Sequence, residues 1–217
     1  FTEDRFFTFF TKQGLVKKTQ LKLYETTRFA RSLIAINLRS DDEVVNVVLT
    51  DGTKTLFIAT KRGYSLMFHE AEISPVGLRA QGVIGIQLKE NDAVVSGFVI
   101  DAQQTDYLCL ITQRGACKRM ALSAFELAKR ARRGTLMLRE LKTKPHEIVS
   151  FITLKEHSDH KIHVVTDREK KITITPYGLP ISEKNSNGSF IIDESEDGEV
   201  KHAFLDVVYE TPFKVEK

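Results

Sequence analysis

Residues 11–19 read TKQGLVKKT and residues 60–68 read TKRGYSLMF. The pattern returns as TQRGACKRM at 112–120 and, in worn form, as TDREKKITI at 166–174. Each stretch closes one strand on a threonine, turns through a short polar segment and leaves as a second strand, which is the signature of a β-hairpin. The turn glycines Gly14, Gly63 and Gly115 lie 49 and 52 residues apart, and the alignment puts Lys170 near their place in the fourth copy. A second marker keeps the same period. A polar turn runs into a β-rich segment at Asp42-Glu43-Val44-Val45, Asp92-Ala93-Val94-Val95, His146-Glu147-Ile148-Val149 and Gly198-Glu199-Val200.

Two independent markers therefore agree on four copies, with approximate limits 1–52, 53–103, 104–158 and 159–211. Enrichment in β-branched and aromatic residues between turn signals predicts four short strands per copy, in the first at 5–11, 15–19, 33–38 and 43–49. Four-stranded repeats of this length are the blades of propeller-like folds, in which no blade buries its apolar faces alone and stacked blades do. The expected fold class is all-β, one propeller-like domain of four repeats; the alternative is a β-sandwich whose hairpins are alike by accident.

The 217 residues, 41% hydrophobic and 28% charged, suit a core-forming globular chain. The apolar runs are strand-sized, as in Phe6-Phe7-Thr8-Phe9-Phe10, so no membrane-spanning helix is expected. The sequence opens on Phe1, and a fragment of a longer protein is expected. Cys109 and Cys117 flank the third hairpin turn and read as reduced, half-buried thiols, which favours the cytoplasm.

The net charge of +3 conceals an asymmetry: residues 1–142 hold 22 basic against 15 acidic side chains, and residues 143–217 hold 10 against 14. The basic side chains recur at fixed places. Lys12, Lys17 and Lys18, then Lys61 and Arg62, then Arg114, Lys118 and Arg119, then Lys170 and Lys171 occupy corresponding hairpins. A long connection follows each hairpin, at 20–32, 69–82, 121–134 and 176–188, and three of the four end in arginine: Arg28 and Arg31, Arg79, and the cluster Lys129, Arg130, Arg132 and Arg133. Any one of these is an ordinary solvated patch; arranged around an axis, they make a curved row that neutralises duplex phosphates without reading sequence. The phenylalanines occupy strand positions such as Phe6, Phe10, Phe57, Phe98 and Phe151, so no stacking platform for single strands accompanies the charges.

Enzymatic signatures are missing: there is no phosphate-binding Gly-x4-Gly-Lys-Ser/Thr loop, no Gly-x-Ser-x-Gly elbow and no His-Glu-x-x-His. The spacing of His157, His160 and His163 suggests a metal, but His163 belongs to a strand, where such spacing separates faces. No metal site or catalytic residue is expected.

The T-x-x-G-x-x-K hairpin, the Arg-x-x-Gly ahead of Val83-Ile84-Gly85-Ile86-Gln87-Leu88 and the Asp-x-Val-Val turn resemble the repeats in the C-terminal domain of the A subunits of bacterial type IIA topoisomerases. The resemblance covers nearly the whole chain. It implies a β-pinwheel, a propeller relative with different strand exchange, that binds and bends duplex DNA without strong sequence preference on its outer rim. It also implies a parent enzyme that uses ATP and Mg, in the bacterial cytoplasm at the nucleoid. The implied protein partners are the remaining domains of the parent chain, together with an ATPase B subunit. Ala131-Arg132-Arg133-Gly134-Thr135-Leu136-Met137-Leu138-Arg139-Glu140-Leu141-Lys142 looks more like the topoisomerase IV branch, and the basic box of the gyrase branch does not occur. Members of that family cut DNA with a tyrosine that follows an arginine; Tyr24, Tyr64, Tyr107, Tyr177 and Tyr209 follow Leu, Gly, Asp, Pro and Val, so this chain is expected to carry no chemistry. Two other readings stay open: a gyrase-type wrapping domain, and a protein-interaction platform whose rim docks an acidic partner.

Overall fold

The T-x-x-G signature builds its turn with two devices. In the first three copies the glycine sits at φ between 75° and 95°, a conformation without cost only for glycine. The threonine hydroxyl accepts the N–H of the residue after the glycine: Leu15 to Thr11 at 3.1 Å, Tyr64 to Thr60 at 3.2 Å and Ala116 to Thr112 at 3.1 Å. The polar turn of the second marker then ties to the hairpin. Asp42 Oδ1 accepts from Gln13 N–H at 2.8 Å and Asp92 Oδ1 from Arg62 N–H at 2.9 Å.

The protein is described by a computed structural model covering residues 5–25, 32–157 and 159–206. Its strands are β1 (Phe6–Thr11), β2 (Leu15–Gln20), β3 (Val44–Thr50), β4 (Thr55–Thr60), β5 (Tyr64–His69), β6 (Val83–Ile84), β7 (Val94–Ile100), β8 (Tyr107–Thr112), β9 (Ala116–Ala121), β10 (Thr135–Leu136), β11 (Ile148–Leu154), β12 (Ile162–Thr166), β13 (Lys171–Ile174), β14 (Ser189–Phe190) and β15 (Val200–Leu205). They form antiparallel sheets in the orders β3-β1-β2-β6, β7-β4-β5-β10, β11-β8-β9-β14 and β15-β12-β13. The outermost strand of each of the first three sheets comes from the next repeat. This is the strand exchange of a β-pinwheel, and none of the first three sheets coincides with a single repeat.

The exchange corrects the strand expected at 33–38. Residues 32–38 hold the place in the first repeat that β6, β10 and β14 hold in the others, yet they form no strand. A two-residue strand exists only by pairing, and residues 32–38 pair with no second strand among the described residues.

Apolar contact runs between blades. Phe10 and Val16 pack on Leu56, Ile58 and Phe68; Phe57 and Met67 on Leu108, Leu110 and Phe151; Cys109, Ile111 and Cys117 on Ile162, Val164 and Val200. The two thiols are fully buried rather than half-buried, hydrogen-bonded to each other at 3.3 Å and not joined by a disulfide. Backbone hydrogen bonds repeat at each junction: Val94 N–H to Lys12 O at 2.9 Å, Ile148 N–H to Lys61 O at 2.7 Å and Val200 N–H to Gln113 O at 2.7 Å.

The turn glycine also makes room. A Cβ on Gly14 would lie 2.8 Å from Ile86 O, one on Gly63 would meet Leu138 at 3.2 Å, and one on Gly115 would overlap Ile192. The residue donated by the next repeat lies directly over each turn. In the fourth turn the equivalent residue is Glu169 at φ 61°, one position before Lys170. Thr166 Oγ1, its hydrogen-bond role lost, is buried without a partner in the described structure.

Glu169→Gly is expected to stabilise the chain by about 0.5–1 kcal/mol by relieving left-handed strain. Gly115→Ala is expected to cost about 2 kcal/mol or more through overpacking against Ile192. Urea unfolding of both variants measures the pair; equal shifts in the two would show that turn strain and donor packing do not differ between the blades.

Candidate nucleic-acid interface

The cations foreseen on the hairpins separate into three groups. The turn cations are paired. Lys12 Nζ lies 3.4 Å from Glu43, Lys61 Nζ 3.0 Å from Glu147 of the next repeat and Arg114 Nε 2.8 Å from Glu194, while Lys170 contacts Asp197. Arg62 donates to Glu90 O at 3.0 Å. Exposed pairs of this kind stabilise little, about 0–1 kcal/mol. They do leave the turn row close to neutral.

Lys17, Lys18 and Lys118 are a correction. They were expected on the rim, and the structure buries them. Lys17 Nζ donates to Ala35 O at 2.7 Å and Leu78 O at 2.5 Å, and lies 5.6 Å from the Phe9 ring centre. Lys18 Nζ donates to Glu70 O at 3.0 Å, with the Glu70 carboxylate at 3.9 Å and the Phe6 ring at 5.1 Å. Lys118 Nζ reaches four carbonyls: Met137 O at 2.6 Å, Glu183 O at 2.9 Å, and Lys184 O and Ser186 O at 2.8 Å. Burial lowers the pKa of all three, that of Lys118 to about 8.

Lys17 and Lys118 are staples. Ala35 and Met137 hold the same place in their repeats, and Leu78 and residues 183–186 lie in the loop of the repeat that follows. Each ammonium therefore binds its own repeat's exit segment to the next repeat's loop. Burial alone is unfavourable for the charge; convergent carbonyls offset it. The second blade has Leu66 at this position, and its equivalent carbonyl, Gly85 O, is taken by Ala131 N–H at 2.8 Å instead. Ala131 does so from φ 60°, inside the arginine-rich loop.

The third group faces solvent. Arg79, Lys129, Arg132 and Arg133 are exposed and make no ion pair with another described residue. All four lie on loops ahead of a donated strand, at the perimeter of the sheets. Arg130 is part of their frame, donating through Nε to Glu72 O at 3.3 Å and through its guanidinium to Ile84 O. Arg119 is half-buried between two rings, 4.7 Å from Tyr107 and 5.1 Å from Tyr177. Arg28 and Arg31 lie outside the described residues. Lys171 is exposed.

Sequence reasoning missed Lys184. It shares with Arg132 the wall of a cavity over Ser65, Leu66, Met67 and Phe125, where the second and third blades meet. The fourth loop lacks the arginine that marks the others, so the repeat pattern gave no cue. His163 is bonded to Thr173 at 3.1 Å and packs on Phe204, and among the described residues no three His, Cys, Asp or Glu side chains converge into a metal site.

A family model described as the DNA gyrase C-terminal domain, beta-propeller, matches residues 7–51, 54–101 and 106–155. The chain is 44% identical over 200 residues to the A subunit of DNA topoisomerase 4 from Bacillus subtilis (strain 168), spanning 92% of this chain and 24% of that protein. Against its counterpart in Staphylococcus aureus (strain MRSA252) it is 36% identical over 206 residues, spanning 94% and 25%. The chain thus spans about a quarter of these curated relatives. Among solved structures, a crystal structure of the C-terminal domain of DNA topoisomerase IV superposes with a TM-score of 0.88 at 44% identity, covering 93% of this chain and 62% of that one. A DNA gyrase A C-terminal domain superposes with a TM-score of 0.79 at 21% identity, covering 95% and 67%, and shares the fold.

Lys118→Met is expected to destabilise the chain by about 3–5 kcal/mol, since four buried carbonyls lose their donor. The unfolded chain holds this proton up to the ordinary lysine value of 10.5 and the folded chain releases it near 8. The unfolded state therefore binds more protons in that window, so the Lys118 contribution to stability rises with pH from 8 to 10.5. Chemical unfolding of both proteins across that range reads the difference; parallel curves would contradict it.

Proposed function

The chain belongs to the DNA gyrase C-terminal domain, beta-propeller family, and from that premise we propose that it is a non-catalytic module that binds and bends duplex DNA for the A subunit of a topoisomerase IV. The observation that carries the reading is the set Arg79, Lys129, Arg132 and Arg133. Four exposed cations without carboxylate partners among the described residues lie on the perimeter loops of the second and third repeats, while the turn cations are neutralised and the hairpin lysines are buried. Phosphates at the perimeter take the role of the missing counter-charges, and such contacts carry affinity without sequence preference. ATP, Mg and the strand-cutting tyrosine belong, in this proposal, to the rest of the parent enzyme and its ATPase partner subunit.

The charge distribution favours a bend over a full wrap. In the fourth repeat Asp193 and Glu196 are exposed, while Glu194 and Asp197 are taken up by Arg114 and Lys170, and the attractive path stops there. A bend of 40–90° over a short site costs roughly 1–6 kcal/mol, which contacts along these charged loops offset. An acidic protein partner is the second reading, favoured by the same exposed cations.

Binding to unrelated duplexes should be equal and salt-dependent, the log–log slope changing by about 0.9 for each phosphate contact. Lys129→Glu/Arg132→Glu/Arg133→Glu should flatten the slope and weaken binding by on the order of a hundredfold, a loss of two to three contacts. Lys12→Ala, whose cation is already paired, should change little. Salt-insensitive binding, or a loss from Lys12→Ala equal to that of the triple variant, would favour the acidic-partner reading. Closing relaxed circles in the presence of the domain should leave linking number nearly unchanged; a large positive shift would indicate gyrase-type wrapping.

A further inference from the structure

An aliphatic side chain is held at the same point of the perimeter in three successive loops. Val76 N–H donates to Lys18 O at 2.8 Å, Ala128 N–H to Met67 O at 2.8 Å and Ser182 N–H to Arg119 O at 2.7 Å. Lys18, Met67 and Arg119 each lie four residues beyond the turn glycine of their hairpin, so the three bonds are one joint repeated. The residue just ahead of the donor is Pro75, Leu127 or Ile181, and all three are exposed, Leu127 by 51% and Ile181 by 57%. Leu127 and Ile181 are fixed further by parallel bridges to Met67 and Arg119.

We infer that Pro75, Leu127 and Ile181 are contacts for the deoxyribose faces of a duplex, so that the perimeter recognises a sugar–phosphate backbone rather than negative charge alone. The inference rests on the DNA-binding reading proposed above and adds to it a part of the affinity that salt does not remove.

Isolated aliphatic side chains are ordinary on a protein surface. Two observations set these three apart. The first is their recurrence: the loop segments Ile73-Ser74-Pro75-Val76, Phe125-Glu126-Leu127-Ala128 and Leu179-Pro180-Ile181-Ser182 differ in composition, yet each places an apolar residue at the joint and exposes it. The second is the company of cations. Leu127 shares the wall of a cavity of about 210 Å³ with Arg132 and Lys184. Ile181 is bridged to Arg119, whose guanidinium is held between the Tyr107 and Tyr177 rings, and exposed Arg79 follows Pro75 by four residues. A DNA strand presents the C–H face of a sugar between successive phosphates. A surface that sets aliphatic side chains beside cations matches that alternation: the cations take the phosphates, and the aliphatic groups leave water against the sugars.

Salt titrations of the chain with a short random duplex and with inorganic polyphosphate test the inference. Leu127→Ser/Ile181→Ser should weaken duplex binding by about tenfold at every salt concentration and keep the log–log slope, because apolar contact is lost and no phosphate contact is. Its affinity for polyphosphate, which carries no sugar, should equal that of the unaltered chain. Leu127→Met/Ile181→Met, which conserves apolar volume, should keep duplex affinity within about twofold. Leu49→Ser removes a 48% exposed leucine from β3, at the opposite edge of its sheet from β6, and should change neither affinity. Melting temperatures should stay equal throughout; Leu127→Ala/Ile181→Ala gives a second reading if the serines lower it. Unchanged duplex affinity in the serine variant, a flattened slope, or an equal loss for polyphosphate would overturn the inference and leave the DNA-binding reading standing. Failure of the unaltered chain to bind duplex would overturn both.

Discussion

A strand of two residues cannot hold itself in place, and this fold is built on three of them. β6, β10 and β14 each exist because the preceding repeat offers an unpaired edge, and each brings an apolar residue that seats over a turn glycine. Backbone pairing and burial are thus one event. The rest of the architecture follows from it: the glycine in T-x-x-G, the small residue that opens each donor segment, and cores that lie between sheets rather than within them. A Cβ on Gly82, Gly134 or Gly188 would overlap the carbonyl of Val16, Ser65 or Cys117, so close backbone approach is required on both sides of the exchange.

Such close approach strands carbonyl groups at the perimeter, where the donor segment and the next loop converge on the second strand. Two solutions occur. The first and third blades place a buried lysine among the carbonyls, and the second uses a backbone N–H from a loop bent through Ala131. The loop that supplies the N–H is the one that raises Arg132 and Arg133 to the surface. Stabilisation of the junction and presentation of charge are therefore linked there: the third repeat's loop, which caps the second blade where no lysine is buried, carries the strongest exposed cluster.

Charge acts in this protein by what is left unpaired. Cations on the hairpin turns sit beside the polar turns of the same or the next repeat, and those turns carry Glu43, Glu147 and Glu194. Local geometry cancels their field at short range, and salt screens the remainder beyond about 8–10 Å. On the perimeter loops Glu72 binds Arg130 through its backbone N–H at 2.9 Å and draws that residue into the frame, while Arg79, Lys129, Arg132 and Arg133 make no ion pair with another described residue.

The sequence by itself determined the repeat, its period, the hairpin turns and the all-β class, because glycine at positive φ and threonine as an acceptor are local requirements written in local residues. It also marked the fourth copy as divergent. The tertiary structure alone decided which cations face solvent. Lys17 and Lys118 read as surface charges because lysine is rarely buried, and only convergence of carbonyls from two repeats makes an interior ammonium favourable. The same holds for residues 33–38. Their composition is that of a strand, but a strand needs an edge to pair with, and none of the described strands offers them one.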